Sequence, residues 1–189
     1  MPGKIILLNG VSSAGKSTLA KAIQQQAAST FYYMSIDMFI EMAGDKAVEK
    51  DTIRTIREAM QNFCAAIAAL YQLDRNILVD VVCVKDGFDL LPALIEALHD
   101  KSVLLTHVKC SPNELEAREK ARGDRDVGLA RWQLDHAYTD IPYDIEVDTS
   151  TENAERCAEK VLAAFNDDSR WNGFSSLIAD HYRAKKSNS

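Results

Sequence analysis

Gly10-Val11-Ser12-Ser13-Ala14-Gly15-Lys16-Ser17 is the stretch from which the rest of the chain is read. Glycine, four residues and then Gly-Lys-Ser is the full pattern of a phosphate-binding loop. By average residue usage, a chain of 189 residues holds such a run by chance about once in a hundred sequences. The surroundings are those the motif needs. An apolar run, Ile5-Ile6-Leu7-Leu8, precedes it, and a helical pattern through Leu19, Ala22 and Ile23 follows. Gly10 and Gly15 permit backbone conformations and close approaches that a side chain would block. The N–H groups of Gly10, Val11, Ser12, Ser13, Ala14, Gly15, Lys16, Ser17 and Thr18 can then gather around phosphate oxygens, beside the positive end of the helix. Lys16 is expected at the β- and γ-phosphates, and the Ser17 hydroxyl at Mg²⁺.

Working outward, apolar strands alternate with amphipathic helices. Strands are expected near 4–9, 31–36, 76–83, 103–108 and 143–147. Helices are expected from Lys16, from Asp51 to about Tyr71, from Asp89 to Leu98, from Ser111, over Leu129 to Tyr138, and after a capping-box pattern at Thr149 to Glu152. A shorter one is expected over Met38 to Met42, and another through Phe174, Leu177, Ile178 and Tyr182, with Lys185 to Ser189 frayed. The alternation predicts an α/β fold: a five-stranded parallel sheet with helices on both faces, the three-layer P-loop architecture. Ligands of such sheets sit beyond the carboxyl ends of the strands.

Three groups of polar residues fall at that end. Asp37 closes the second strand, where a carboxylate could take the proton of an acceptor hydroxyl or cap the helix that follows. Asp80 lies inside the apolar run Ile77-Leu78-Val79-Asp80-Val81-Val82, where a carboxylate needs a partner. The Ser17 hydroxyl or a water on Mg²⁺ would serve, and Asp80 is itself an alternative base. Arg118, Arg122 and Arg125 surround Gly123, which fits a flap closing over phosphates. Arg118 is the weakest of the three, because Glu114 lies four residues before it as an ion-pair partner. Arg131 is a further candidate, and His136 reads as a surface histidine.

Bulk properties bound the function. Hydrophobic content is 47%, charged content 26% and net charge −6, so a broad nucleic-acid surface is not expected. Cys64, Cys83, Cys110 and Cys157 have no paired spacing and read as reduced core residues. Without a membrane-length apolar run or a leader pattern, a cytoplasmic protein with no membrane partner is expected.

The loop, Asp37 followed by Phe39-Ile40-Glu41, Ala121-Arg122-Gly123-Asp124-Arg125 and Tyr143-Asp144-Ile145-Glu146-Val147-Asp148-Thr149 together resemble the chloramphenicol phosphotransferase-like family of P-loop kinases. The resemblance runs from about residue 4 to 165. It implies an ATP- and Mg²⁺-dependent kinase of a small-molecule hydroxyl, with Asp37 as base and Arg122 and Arg125 in the lid. On this reading residues 1–166 form the kinase domain, with a mobile lid at about 118–131, and residues 167–189 form a C-terminal extension. Metal would be held by Ser17 and, through water, by Asp80. The acceptor is left open. A nucleoside- or nucleotide-sugar-type kinase and a non-catalytic nucleotide-binding switch are the alternatives, and a homodimer is compatible with the sequence.

Overall fold

The computed structural model describes residues 3–85, 88–122 and 128–187, with only the backbone at 122 and 187. Strands β1 (Ile5–Asn9), β2 (Phe31–Ser35), β3 (Asn76–Val81), β4 (Val103–Lys109) and β5 (Ile145–Asp148) form one sheet in the order β2-β3-β1-β4-β5. Each of its four neighbouring pairs is parallel. The helices are α1 (Lys16–Gln26), α2 (Ile36–Glu41), α3 (Asp45–Lys50), α4 (Thr52–Gln72), α5 (Leu91–Leu98), α6 (Pro112–Arg122), α7 (Leu129–His136), α8 (Ala154–Phe165) and α9 (Gly173–Ser187).

The unbroken apolar run of β1 is the mark of a strand covered on both faces. Successive side chains point to opposite sides, so β1 feeds two cores. Ile5 and Leu7 pack with Phe63 and Ile67 of α4, Leu94 of α5 and Phe174 of α9. Ile6 and Leu8 pack with Leu19 and Ile23 of α1 and with Ala158 and Val161 of α8. Asp51 starts α4 as expected, its carboxylate accepting the Arg54 N–H at 3.1 Å. No helix among the described residues is long and apolar enough to cross a membrane.

One helix is added and three local expectations change. The segment between Gly44 and Asp51 is itself a helix, α3. Ser35, not Asp37, caps α2: its hydroxyl accepts the Met38 N–H, and Asp37 sits in the first turn. Thr149 to Glu152 do not start α8, because the side chain of Asn153 caps it through the Arg156 N–H. The last helix runs through Lys185 instead of fraying there, because Glu96 of α5 accepts from Tyr182 and Lys185.

Asp144 joins this last helix to the sheet. Its Oδ2 accepts the Leu105 N–H of β4 at 2.8 Å, and its Oδ1 accepts from Asn172 and Gly173 at 2.8 and 2.7 Å. A side chain at Gly173 would meet the Pro142 carbonyl at 2.0 Å, so the chain enters α9 on bare backbone. Asp144→Ala leaves those N–H groups without their acceptor. We expect a loss of about 2 kcal/mol and a melting temperature lower by about 4–8 °C in a thermal scan. An unshifted melting curve would remove Asp144 from the account of how α9 is held.

Candidate active site

The loop between β1 and α1 stands at the carboxyl end of the central strand. Gly15 adopts φ +87° and Ser13 φ +62°, so the loop carries two left-handed residues, one of them not glycine. Gly10 is needed for a different reason from Gly15. A Cβ there would lie 2.4 Å from the Val108 carbonyl of β4, so packing against the sheet fixes this glycine.

Side chains from outside the loop hold its carbonyls. Arg118 of α6 donates through its guanidinium to the Ser13 carbonyl at 3.4 Å, the Thr149 hydroxyl at 3.0 Å and the Thr149 carbonyl at 2.8 Å. The Thr149 hydroxyl donates to the Ala14 carbonyl at 2.8 Å. A peptide whose carbonyl is drawn one way presents its N–H the other way. Arg118 and Thr149 therefore help to set the direction of the loop's N–H groups. Arg118 does pair with Glu114, at 3.0 Å, but that pair leaves the rest of its guanidinium on the loop. The residue ranked weakest among the arginines from sequence is built against the phosphate loop.

Asp80 of β3 has only 6% of its surface exposed. Its Oδ2 accepts from the Ser17 hydroxyl at 3.0 Å and from the Tyr33 phenol at 2.9 Å. Its Oδ1 lies 3.5 Å from the Lys16 ammonium, which also donates to the Val11 carbonyl at 3.0 Å. Ser17 is thus among Asp80's partners, and Tyr33 is one that the sequence did not reveal. Burial, as the largest cause, raises the Tyr33 phenol above its usual range, so it stays protonated and donating.

Loop, Asp80 and Asp37 line one cleft of about 1120 Å³. Asp37 lines it from the exposed first turn of α2. Arg118, Thr149 and Asn153 line it as well, from α6 and from the segment between β5 and α8. Gln133 of α7 reaches across, its side-chain oxygen accepting the Ser12 N–H at 2.6 Å. Glu119 is the other residue that the sequence does not single out. It is 1% exposed and accepts the N–H groups of Gly128 and Ala130 at 2.9 and 2.7 Å. It ties α6 to the start of α7. Neither residue carries a motif; only the folding-back of α7 on α6 reveals them.

Two further candidates, Arg131 and His136, separate from the cleft. Arg131 is exposed and pairs with Glu116 at 3.4 Å. His136 stacks on Trp132 and bonds its carbonyl, as a surface histidine would. Arg125, Gly123 and the side chain of Arg122 lie outside the described residues. The four cysteines are unpaired thiols. Burial pushes Cys64 up to about 11 and Cys83 to about 12, so neither is a thiolate at neutral pH.

The donors present suit a Mg-nucleotide. The Ser13 hydroxyl oxygen is buried in the loop with no partner among the described residues, as a group meant for a ligand would be. Among the described residues no three His, Cys, Asp or Glu side chains converge on a point. Among these residues a metal held by protein side chains alone is not built. Mg²⁺ does not need one, since it takes one or two protein oxygens and completes its shell with phosphates and water. Ser17 and Asp80 are hard oxygen donors of that kind.

The chain matches the family described as chloramphenicol phosphotransferase-like protein over residues 3–166. A protein of Mycobacterium tuberculosis H37Rv named "Putative O-phosphotransferase" is 32% identical over 188 aligned positions, covering 86% of this chain and 82% of its own length. Among solved structures, shikimate kinase from Acinetobacter baumannii matches with a TM-score of 0.65 at 14% identity, over 88% of this chain and 94% of its own. The APS kinase of Mycobacterium tuberculosis matches with a TM-score of 0.64, also at 14% identity, over 87% and 98%. At such identities the two kinases bear on the fold alone, and that fold is the P-loop kinase fold. With the phosphate loop and the family match added, the chain belongs to the chloramphenicol phosphotransferase-like family and is a kinase-type phosphotransferase.

Proposed function

We propose that this phosphotransferase moves the γ-phosphate of ATP to a hydroxyl of a small molecule, with Asp37 as the base and with Ser17 and Asp80 at the metal. The observation that carries this reading is the contrast between the two carboxylates of the cleft. Asp80 is buried and engaged by Ser17, Tyr33 and Lys16. Asp37 is exposed at the cleft wall, and the neighbouring cap is supplied by Ser35. A base must reach a substrate that comes and goes, whereas a metal-site acid must hold still.

In the transfer, the acceptor oxygen forms a bond to the γ-phosphorus as the bond from phosphorus to the β,γ-bridging oxygen breaks. ADP leaves with the bridging oxygen, and the acceptor's proton passes to Asp37. Lys16 and the loop N–H groups hold the phosphates in line, which is most of what phosphoryl transfer asks of a protein. Mg²⁺, when bound with the nucleotide, would offset charge on the β- and γ-phosphate oxygens. Ser17 would hold it directly and Asp80 through water. The family resemblance implies the same task for Arg122 and Arg125, and removing either charge would then slow transfer more than it weakens nucleotide binding.

An acceptor is found by adding hydroxyl compounds to protein and ATP and following ADP release. With it in hand, Asp37→Asn should leave nucleotide affinity and melting temperature unchanged while the single-turnover rate falls by about a hundredfold or more. Asp80→Asn should instead raise the Mg²⁺ requirement. If only Asp80→Asn loses the chemical step and still holds Mg-nucleotide, the two roles must be exchanged.

The brace behind the loop has its own test. Thr149→Val keeps shape but removes the hydroxyl between Arg118 and the Ala14 carbonyl. With one bond to a charged group and one to a carbonyl gone, ADP affinity in calorimetry should fall by about tenfold, equivalent to about 1.4 kcal/mol. Glu114→Gln, which touches Arg118 on its solvent side, should leave that affinity within about twofold. Equal losses in the two variants would count against the brace.

A further inference from the structure

Tyr33 stands outside every motif of the chain, yet its phenol reaches the carboxylate at the centre of the cleft. We propose that Tyr33 is a positioning residue: by holding Asp80, it sets how tightly a divalent cation is retained with the nucleotide. The proposal rests on the reading that Ser17 and Asp80 serve the metal.

The two hydroxyls, of Ser17 and Tyr33, donate to the same oxygen of Asp80, Oδ2. Two bonds from different elements, α1 and β2, fix that oxygen in space. A carboxylate is rigid and planar, so fixing one oxygen restricts rotation about its last side-chain torsion. Oδ1 is then left on the Lys16 side, 3.5 Å from the ammonium.

The consequence falls on Ser17. A serine hydroxyl has one proton and two lone pairs. While the proton is committed to Asp80, the lone pairs are free to act as ligands, so the direction of the Asp80 carboxylate sets the direction of the Ser17 donor set. Without the phenol, Oδ2 keeps a single anchor and the buried carboxylate can turn toward Lys16. The Ser17 proton then loses its fixed acceptor.

The sequence around Tyr33 sharpens the point. β2 reads Phe31-Tyr32-Tyr33-Met34-Ser35, and alternate residues face opposite sides. Tyr32 is 43% exposed. Tyr33 packs its ring against the core under α1 and α8. A phenylalanine would do that packing equally well, so the hydroxyl is the part that packing leaves unexplained. Ser35 is paired in register with Asp80, which puts Tyr33 two residues back along the neighbouring strand, where a long side chain reaches forward to the carboxylate.

The experiment uses Tyr33→Phe, which keeps the ring. ADP affinity is measured by calorimetry in EDTA and over a series of Mg²⁺ concentrations, with a melting curve for each protein. We expect an affinity in EDTA within about twofold of the parent, and a Mg²⁺ concentration for half-maximal tightening raised by about tenfold. A second arm places Tyr33→Phe in an Asp80→Ala background, where it should add no further shift in the Mg²⁺ midpoint, because the acceptor it orients is gone. A lower melting temperature with an unchanged Mg²⁺ midpoint would overturn the proposal, leaving the phenol a structural partner only. So would an equal shift in both backgrounds. If ADP affinity of the parent itself ignores Mg²⁺, the metal assignment to Ser17 and Asp80 falls first and takes this proposal with it.

Discussion

A carboxylate buried at the end of a parallel strand is the constraint around which this site is arranged. Taking Asp80 out of water costs several kcal/mol unless donors replace the lost hydration. The three donors come from two elements, Lys16 and Ser17 from the start of α1 and Tyr33 from the edge strand. Each can be in place only if β2, β3 and β1 lie side by side in the observed register. The site and the sheet order are thus one requirement. A shift of β3 by one residue would turn Asp80 to the other face, against the side chains of α4 and α5, and leave Ser17 and Tyr33 behind.

The phosphate loop meets a second requirement from behind. Its N–H groups can face a ligand only if its carbonyls face elsewhere, and a carbonyl turned away from solvent needs a donor. Arg118 and Thr149 supply donors for Ser13 and Ala14. They come from α6 and from the end of β5, far from the loop in sequence. Gly10 yields to the Val108 carbonyl of β4 in the same way. The loop's shape is therefore imposed from the β4–β5 side of the sheet as much as by its own glycines. Lys16 and Ser17 then inherit their direction from a backbone already set.

This explains what the sequence disclosed and what it hid. The fold was legible because β1 is apolar at every position and the helices carry apolar residues three or four apart, which are local patterns. Asp80 was legible because a lone acid in an apolar run is a conflict that demands a reason. Asp37 was legible as a cleft residue from its place at a strand end. Its rival reading as a cap failed because Ser35, two residues earlier, does that job better. Thr149 followed by Glu152 has the spacing of a capping box, but Thr149 is drawn to the loop and the helix starts on Asn153. Tyr33, Glu119, Gln133 and the inner role of Arg118 left no trace, because each depends on a partner more than eight residues away or on how α7 folds back over α6. Glu114 four residues before Arg118 even pointed the wrong way: the pair exists, but a guanidinium has five N–H donors and one carboxylate does not exhaust them.

The two ends of the cleft differ in how their chemistry is encoded. The phosphate end is written in one contiguous run of residues and relies on backbone N–H groups, so it needs few side chains to be right. The opposite wall is assembled from the start of α2, the end of β3 and α7, three segments joined only by the fold. Two of them are shared with the phosphate end: the end of β3 carries Asp80, and Gln133 of α7 accepts the Ser12 N–H. A substitution there reaches the loop as well. Asp37 stands apart, because its place is fixed by the turn that Ser35 caps and so by the end of β2 itself. On the proposed reading the proton acceptor is thereby tied to the sheet, and the surface around it is the part that a different hydroxyl compound would require to change.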